Sequence, residues 1–214
     1  MVTLAALYGA GGSVVGPRVA ERLGVPFLDR AIPEAVTRET GLPERAVEDV
    51  DERPQGVTTR VMATLGRAAT AGGSEGAVAG LDLHEQRLRG YIERFLGQAA
   101  ASGGVALGRG GMVVLREVPW ALHVHLGGAP EARIRQAMRI NGVERDEAER
   151  QQRMEDRARI EYVRRAYGVD GGNPALYHLM LDSTALELEV CVGLIVTASE
   201  ARRQNPRPMP VEPE

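Results

Sequence analysis

The opening two dozen residues set the strongest constraint on the fold. Val2 to Tyr8 is an apolar run of strand length, and Gly9-Ala10-Gly11-Gly12 follows at once. Val14 to Leu23 then reads as a helix, with Gly24 as its stop and Pro26 just beyond. Pro17 falls in the first turns, where it is tolerated. An apolar strand that turns through glycines into a helix opens a β–α unit. A strand without polar alternation must be covered on both faces, which implies a parallel sheet between helical layers.

The rest of the chain repeats the alternation. Val25 to Leu28 is a short second strand ending at Asp29-Arg30. Further strands are expected at Val105 to Leu107, running into Gly108-Arg109-Gly110-Gly111, at Ala121 to Leu126 and at His178 to Leu181. Leu81 to Ala101 is a helix with Leu88, Ile92, Phe95 and Leu96 on one face. Pro130 to Ile140 is another, Glu144 to Tyr167 a long charged helix or a pair, and Leu186 to about Ala198 a last helix capped by Asp182-Ser183-Thr184. Residues 31–52 read as short helices broken by Pro33, Gly41 and Pro43, and residues 54–80 as a Gly-, Ala-, Thr- and Ser-rich segment with a loop at 72–76. Arg202 to Glu214 holds four prolines and reads as a disordered tail.

Composition narrows the function. The 214 residues suit one substantial core, and nowhere do 18 apolar residues run together, so no membrane span is expected. Met1 to Gly12 lacks a signal-peptide layout, and a cytoplasmic chain is the expectation. The single cysteine, Cys191, excludes an intramolecular disulfide and a multi-cysteine zinc site, and reads as a buried small hydrophobe. All 26 basic residues are arginine, so every side-chain cation other than histidine is a permanently charged guanidinium. A net charge of -3 argues against nucleic acid as a partner. The eight aromatics leave little for base stacking, so recognition of a base is expected to rest on polar contacts.

In parallel sheets, ligands bind beyond the carboxyl ends of the strands. The turns at Gly9 to Gly12 and at Gly108 to Gly111 both fall there. The first is either an anion cradle, with amides and a helix N-terminus facing a phosphate, or a tight turn with no ligand. Against the phosphate-loop pattern, Gly12 occupies the lysine position, Ala6 the first glycine, and only Ser13 matches, at the hydroxyl that faces Mg²⁺. Arg109 is a candidate ligand group or a capping and ion-pairing residue. Asp29 could orient an acceptor or cap the next helix, and Asp182 caps the last one. His123 and His125 point the same way from one strand, a conceivable metal pair with no carboxylate or cysteine near in sequence. Residues 144–165 hold seven arginines and seven acids, including the acid-first i,i+4 pairs Asp146–Arg150, Glu149–Arg153, Glu155–Arg159 and Glu161–Arg165. That stretch is either a solvated face or a lid, and Arg150, Arg153, Arg157 and Arg164 share one side of it.

Four segments, in order, resemble the cytidylate kinase-like family, a divergent branch of the nucleoside monophosphate kinases. They are Leu7 to Gly16 with Val19 to Arg30; Gly108-Arg109-Gly110; Glu155 to Tyr162; and Tyr177 to Thr184. The resemblance implies an α/β, three-layer P-loop NTPase fold with a five-stranded parallel sheet. It implies one domain over residues 1–200, with a helical acceptor-binding insert at 31–80 and an arginine-bearing lid at 141–175, before a tail at 201–214. The implied activity is transfer of the γ-phosphoryl of ATP, with Mg²⁺, to a nucleoside monophosphate (CMP-like) or a related small acceptor. Carried over by position, Gly9, Ala10, Gly11, Gly12, Ser13 and Val14 would bind the donor, with Ser13 toward the metal. Asp29, Arg30 and Arg109 would face the acceptor, and Arg109, Arg153, Arg157 and Arg159 would be the catalytic arginines, with Arg157 closing over the donor phosphates. A homodimer is compatible with the family. The family's usual Gly-Gly-Arg is Gly-Gly-Ser here, so the alternative is a catalytically impaired nucleotide- or phosphate-binding protein on the same scaffold.

Overall fold

The computed structural model describes residues 1–28 and 89–207. Its strands are β1 (Val2–Ala6), β2 (Val105–Leu107), β3 (Leu122–Gly127) and β4 (Leu179–Asp182). Its helices are α1 (Gly12–Leu23), α2 (described over 89–102), α3 (Gly111–Val114), α4 (Pro130–Asn141), α5 (Arg145–Tyr167) and α6 (Leu188–Gln204), with a 3-10 turn at Pro174–Leu176.

The sheet is parallel throughout, in the order β2-β1-β3-β4. Val2 sits level with Val105 on one side and Leu122 on the other, and Val124 level with Leu179. The expected second strand contributes only an isolated parallel bridge from Phe27 to Val105, so four strands are formed among the described residues rather than five. Leu28 N–H and Pro26 C=O bond Val105 on either side of that bridge, while Pro26 itself has no N–H to lengthen the ladder.

Each face of the sheet is covered. Val2, Leu4, Val105, Leu122, Val124 and Leu126 pack against Val15 and Val19 of α1 and Cys191, Val192 and Ile195 of α6. Ala106 packs on the other side with Ile92 and Leu96 of α2, Leu115 and Ala121. These side chains are almost wholly buried, and Leu4→Ala in such a core costs about 2–5 kcal/mol. α1 lies close to the sheet edge because Gly16 has no side chain: a Cβ there would stand 2.5 Å from the Phe27 ring.

One open alternative is decided, and two expected elements end differently. The charged segment is a single helix, since nothing inside it breaks the ladder before Gly168, which takes φ 70°. Asp182 does not cap α6. Its carboxylate accepts from Thr184 N–H, Thr184 Oγ1–H and Ala185 N–H in a local turn, and α6 starts only after Glu187. The expected tail is partly ordered, because α6 continues to Gln204 and Arg202 donates to the carbonyls of Pro119, Ala121 and Arg207. Residues 208–214 lie outside the described residues, as does the expected insert at 31–80.

Candidate phosphate-binding site

β1 ends at Ala6, and the chain turns through Gly9 and Gly11, at φ 74° and 78°, into α1. Those angles favour glycine. Space demands it too: a Cβ on Gly9 would stand 2.2 Å from the Arg133 carbonyl oxygen, and one on Gly11 2.8 Å from Leu188. Gly12 has an ordinary helical backbone, yet a Cβ there would meet Ala6 Cβ at 2.6 Å and Leu107 at 3.1 Å. Helix α1 therefore starts flush against β1 and β2.

The loop is bound from behind. Arg133 Nη1 donates to Tyr8 O (2.8 Å), Gln136 Nε2 to Gly9 O (3.0 Å) and Ser183 Oγ to Ala10 O (2.7 Å). The Arg133 guanidinium also reaches Gly128 O (3.0 Å) and the Asp156 carboxylate (2.8 Å), and Asp156 accepts from Tyr8 N–H (2.8 Å). Arg133, Gln136 and Ser183 are all buried. Tyr8 adds a hydroxyl bond to Gln151 (2.5 Å), and its ring clusters with Ile134, Ala137 and Ala148. So α5 is fastened to the loop at Tyr8 and to α4 through Gln152, which donates to Pro130 O.

A cavity of about 510 Å³ opens in front of the loop at the carboxyl ends of the strands. Gly9, Gly11, Gly12 and Ser13 line it, together with Arg109 and Arg159. Arg109 is 6% exposed and takes φ 61°, between Gly108 at 75° and Gly110 at 64°. A left-handed backbone at a non-glycine residue costs roughly 1 kcal/mol or more, and such strain gathers at functional sites. Tyr167 packs under the turn, with its ring 2.2 Å from where a Gly110 Cβ would be and its hydroxyl on Arg109 O. Arg159 bonds Glu155 at 2.9 Å, and both residues line the cavity.

The far wall is aromatic and polar. Three of the five tyrosines, Tyr8, Tyr162 and Tyr177, line the cavity, with His125 edge-on to Tyr177 at 5.1 Å. Few aromatics overall thus does not mean few at the site. Burial pushes the Tyr162 hydroxyl well above its ordinary value and Tyr177 up to about 12, and it lowers His125, helped by the Arg133 charge. His123 turns inward from the same sheet face. Its Nδ1 meets Thr3 Oγ1 at 2.8 Å, its ring stacks on His178 at 5.0 Å, and burial pushes its pKa down to about 3 and that of His178 to about 4. No cluster of three or more metal-ligating side chains occurs among the described residues.

The expected site residues divide. Gly9, Gly11, Gly12, Ser13, Arg109 and Arg159 meet at one cavity. Ala10 is buried behind it and Val14 lies in the first turn of α1, its amide on Gly11 O. Arg153 and Arg157 are not brought there: their side chains are 68% and 77% exposed, paired along α5 with Glu149 and Glu161. Of the expected i,i+4 pairs, Glu149–Arg153 and Glu155–Arg159 form, whereas Arg150 pairs with Glu147 and Glu161 with Arg157. Asp29 and Arg30 lie outside the described residues. Sequence reasoning missed Arg133, Gln136 and Ser183. The one available signal was that Arg133 and Gln136 flank the apolar positions Ile134 and Ala137 on α4.

A buried parallel strand, a glycine loop wrapped on the start of a helix, and a cavity at the strand ends define an α/β fold of parallel strands between helices, with its candidate site at the carboxyl edge of the sheet. The cytidylate kinase-like family model matches residues 1–185, and the chain belongs to that family. A crystal structure of an uncharacterized protein from Eubacterium ventriosum superposes with a TM-score of 0.66 at 13% identity, covering 94% of this chain and 98% of that one, and shares the fold. A gluconokinase from Sinorhizobium meliloti aligns more loosely, at TM-score 0.48 and 14% identity over 95% of this chain and 93% of its own. A 98-residue stretch is 32% identical to a uronate isomerase of Corynebacterium glutamicum, covering 46% of this chain but only 19% of that protein. The chain thus spans about a fifth of the length of that curated relative. No helix among the described residues is long and apolar enough to cross a membrane.

Proposed function

We propose that the chain is a nucleotide kinase-like phosphotransferase that moves the γ-phosphoryl of ATP to a nucleoside monophosphate, CMP-like, or a related small acceptor. The observation that carries this reading is the meeting of the glycine loop with two arginines, Arg109 and Arg159, around one cavity. Phosphoryl transfer needs positioning and charge neutralisation more than covalent chemistry. The loop fits a phosphate chain. The first amides of α1 have no carbonyl four residues back, and no acidic residue stands in its first turn. Ser13 fits Mg²⁺, which binds through few protein ligands and keeps phosphate oxygens and waters; when bound, it would neutralise charge on the donor phosphates.

Arg109 is held in place by a strained turn and a buried wall, and a guanidinium can grip phosphate through two bonds at once. Arg159 would exchange Glu155 for a phosphate oxygen. The acceptor would lie against Tyr162, Tyr177 and His125, with Asp170 as the acid on that side. Arg153 and Arg157 stay outside the site in this reading.

The second reading, a phosphate- or nucleotide-binding protein without turnover, is favoured by Gly12 at the lysine position. Titration calorimetry of ATP with and without Mg²⁺, paired with ADP release over a panel of nucleoside monophosphates, separates the two. Acceptor-dependent ADP release establishes the kinase. Tight ATP binding with no release on any acceptor leaves the binding protein, and no binding of ATP overturns the kinase and the nucleotide-binding protein alike.

A further inference from the structure

We propose that Arg133, Gln136 and Ser183 are positioning residues that set which amides of the glycine loop face a bound phosphate. The proposal rests on the reading of that loop as a phosphate site and adds to it the residues that act through the main chain. A trans peptide unit is planar, so its C=O and the following N–H point in opposite directions, and no cis bond occurs among the described residues. Fixing a carbonyl on one side therefore aims the next amide at the other.

Applied along the loop, this gives a definite pattern. Arg133 draws Tyr8 O toward α4, which turns Gly9 N–H away from α4. Ser183 draws Ala10 O toward the β4–α6 turn, which turns Gly11 N–H away from it. Gly11 O accepts from Val14 and Val15 N–H, so Gly12 N–H projects from the start of α1. The middle peptide differs in its amide: Gln136, also on α4, holds Gly9 O, and Ala10 N–H is spent on Leu7 O instead of being offered to a ligand. The cavity lining follows the same division. Gly9, Gly11 and Gly12 line it, whereas Ala10 and the three donors lie behind. The Arg133 cation also polarises the Tyr8–Gly9 peptide, which makes Gly9 N–H a stronger donor.

The donors are suited to this. Ser183 is fully buried, and Gly127 O keeps Ser183 N–H when the hydroxyl is removed, so Ser183→Ala strips one donor from Ala10 O and little else. Gln136→Leu strips the donor from Gly9 O at nearly constant volume.

The test uses the full chain and inorganic tripolyphosphate at fixed ionic strength, with affinity by calorimetry, amide shifts by ¹H–¹⁵N correlation and melting temperature as the fold control. In the parent, tripolyphosphate shifts the amides of Gly9, Gly11 and Gly12. Ser183→Ala is expected to weaken affinity about tenfold and to shrink the Gly11 response while Gly9 still responds, a selectivity that general loosening does not produce. Gln136→Leu is expected to weaken affinity to a similar extent. If either variant loses its fold, Ser183→Cys, which puts a weak thiol donor in nearly the same volume, and Gln136→Met take its place. Parent-like affinity, within twofold, together with an unchanged Gly11 shift in the folded variants overturns the positioning role and leaves the phosphate site standing. A parent that binds no tripolyphosphate, or shifts other amides, overturns the phosphate site and the positioning role with it.

Discussion

Restoring the missing lysine is the natural experiment, and the packing at Gly12 says that Gly12→Lys will not give a better enzyme. The new Cβ would stand 2.6 Å from Ala6 Cβ and 3.1 Å from Leu107 Cδ1. Ordinary carbon contacts lie at about 3.5–4 Å, so β1 and α1 must part by about 1 Å. Leu107 Cδ1 is a side-chain tip and can rotate away, but Ala6 Cβ is fixed to a strand clamped in the sheet and cannot. Overpacking of this kind costs roughly 1–3 kcal/mol. Removing a glycine from a helix returns at most about 0.8 kcal/mol, and less in a first turn. The net loss is about 1–2 kcal/mol, a fall in Tm of roughly 2–8 °C for a domain of this size. Gly12→Ala carries the same Cβ without the cation and should fall nearly as far. Thermal unfolding of the three proteins, with ATP affinity measured alongside, decides the matter. A Gly12→Ala variant as stable as the parent would refute the packing argument. A Gly12→Lys variant with parent stability and faster turnover would refute the view that the site gets its cations from Arg109 and Arg159.

Four further outcomes are expected. Arg159→Ala should weaken tripolyphosphate affinity about tenfold, whereas Arg157→Ala should leave it within twofold, as calorimetry would read directly. Arg109→Gly should be more stable than Arg109→Ala by about 1 kcal/mol in urea unfolding, because the backbone there sits at φ 61°, while both lose affinity alike. Asp156→Ala leaves the buried Arg133 cation unbalanced and should cost about 3 kcal/mol, the lower end for a broken buried pair, by urea unfolding. His123, with its folded pKa pushed down to about 3, stabilises the protein fully above its unfolded pKa near 6.5 and loses that contribution as pH falls toward 3. Between pH 6.5 and 5 it alone should remove about 2 kcal/mol, and His123→Gln should flatten that slope in unfolding measured against pH.

What the sequence revealed and what it hid follow from how far each signal reaches. β1, β2 and β3 are runs with apolar cover on both faces: β2 has the expected bounds, β3 is displaced by one residue, and β1 ends at Ala6, two residues before the expected Tyr8. The glycine loop was legible because positive φ at Gly9 and Gly11 is a local demand on residue type. The binding of the loop from behind was not, because Ser183 meets Ala10 across 173 positions and Arg133 meets Tyr8 across 125. The arginines of α5 show the same limit. Their shared face was correct as geometry, but which side of the helix meets the loop is fixed by Tyr8, Gln151 and Asp156. Asp182 looked like a helix cap by residue type, and it caps a turn instead because Ser183 is drawn inward to Ala10.

A chain whose only strong cations are arginines has a site whose charge barely changes on the alkaline side. Burial pushes the Tyr177 hydroxyl up to about 12 and raises Tyr8 and Tyr162 as well, and guanidinium as a group is not deprotonated at working pH. The titrating imidazole on the cavity wall, His125, is already neutral by then, its pKa lowered by burial. Between about pH 8 and 10 the described walls of the cavity therefore present a constant field. Any change in ligand binding across that interval reports on the ligand's own protons, or on residues beyond the described walls.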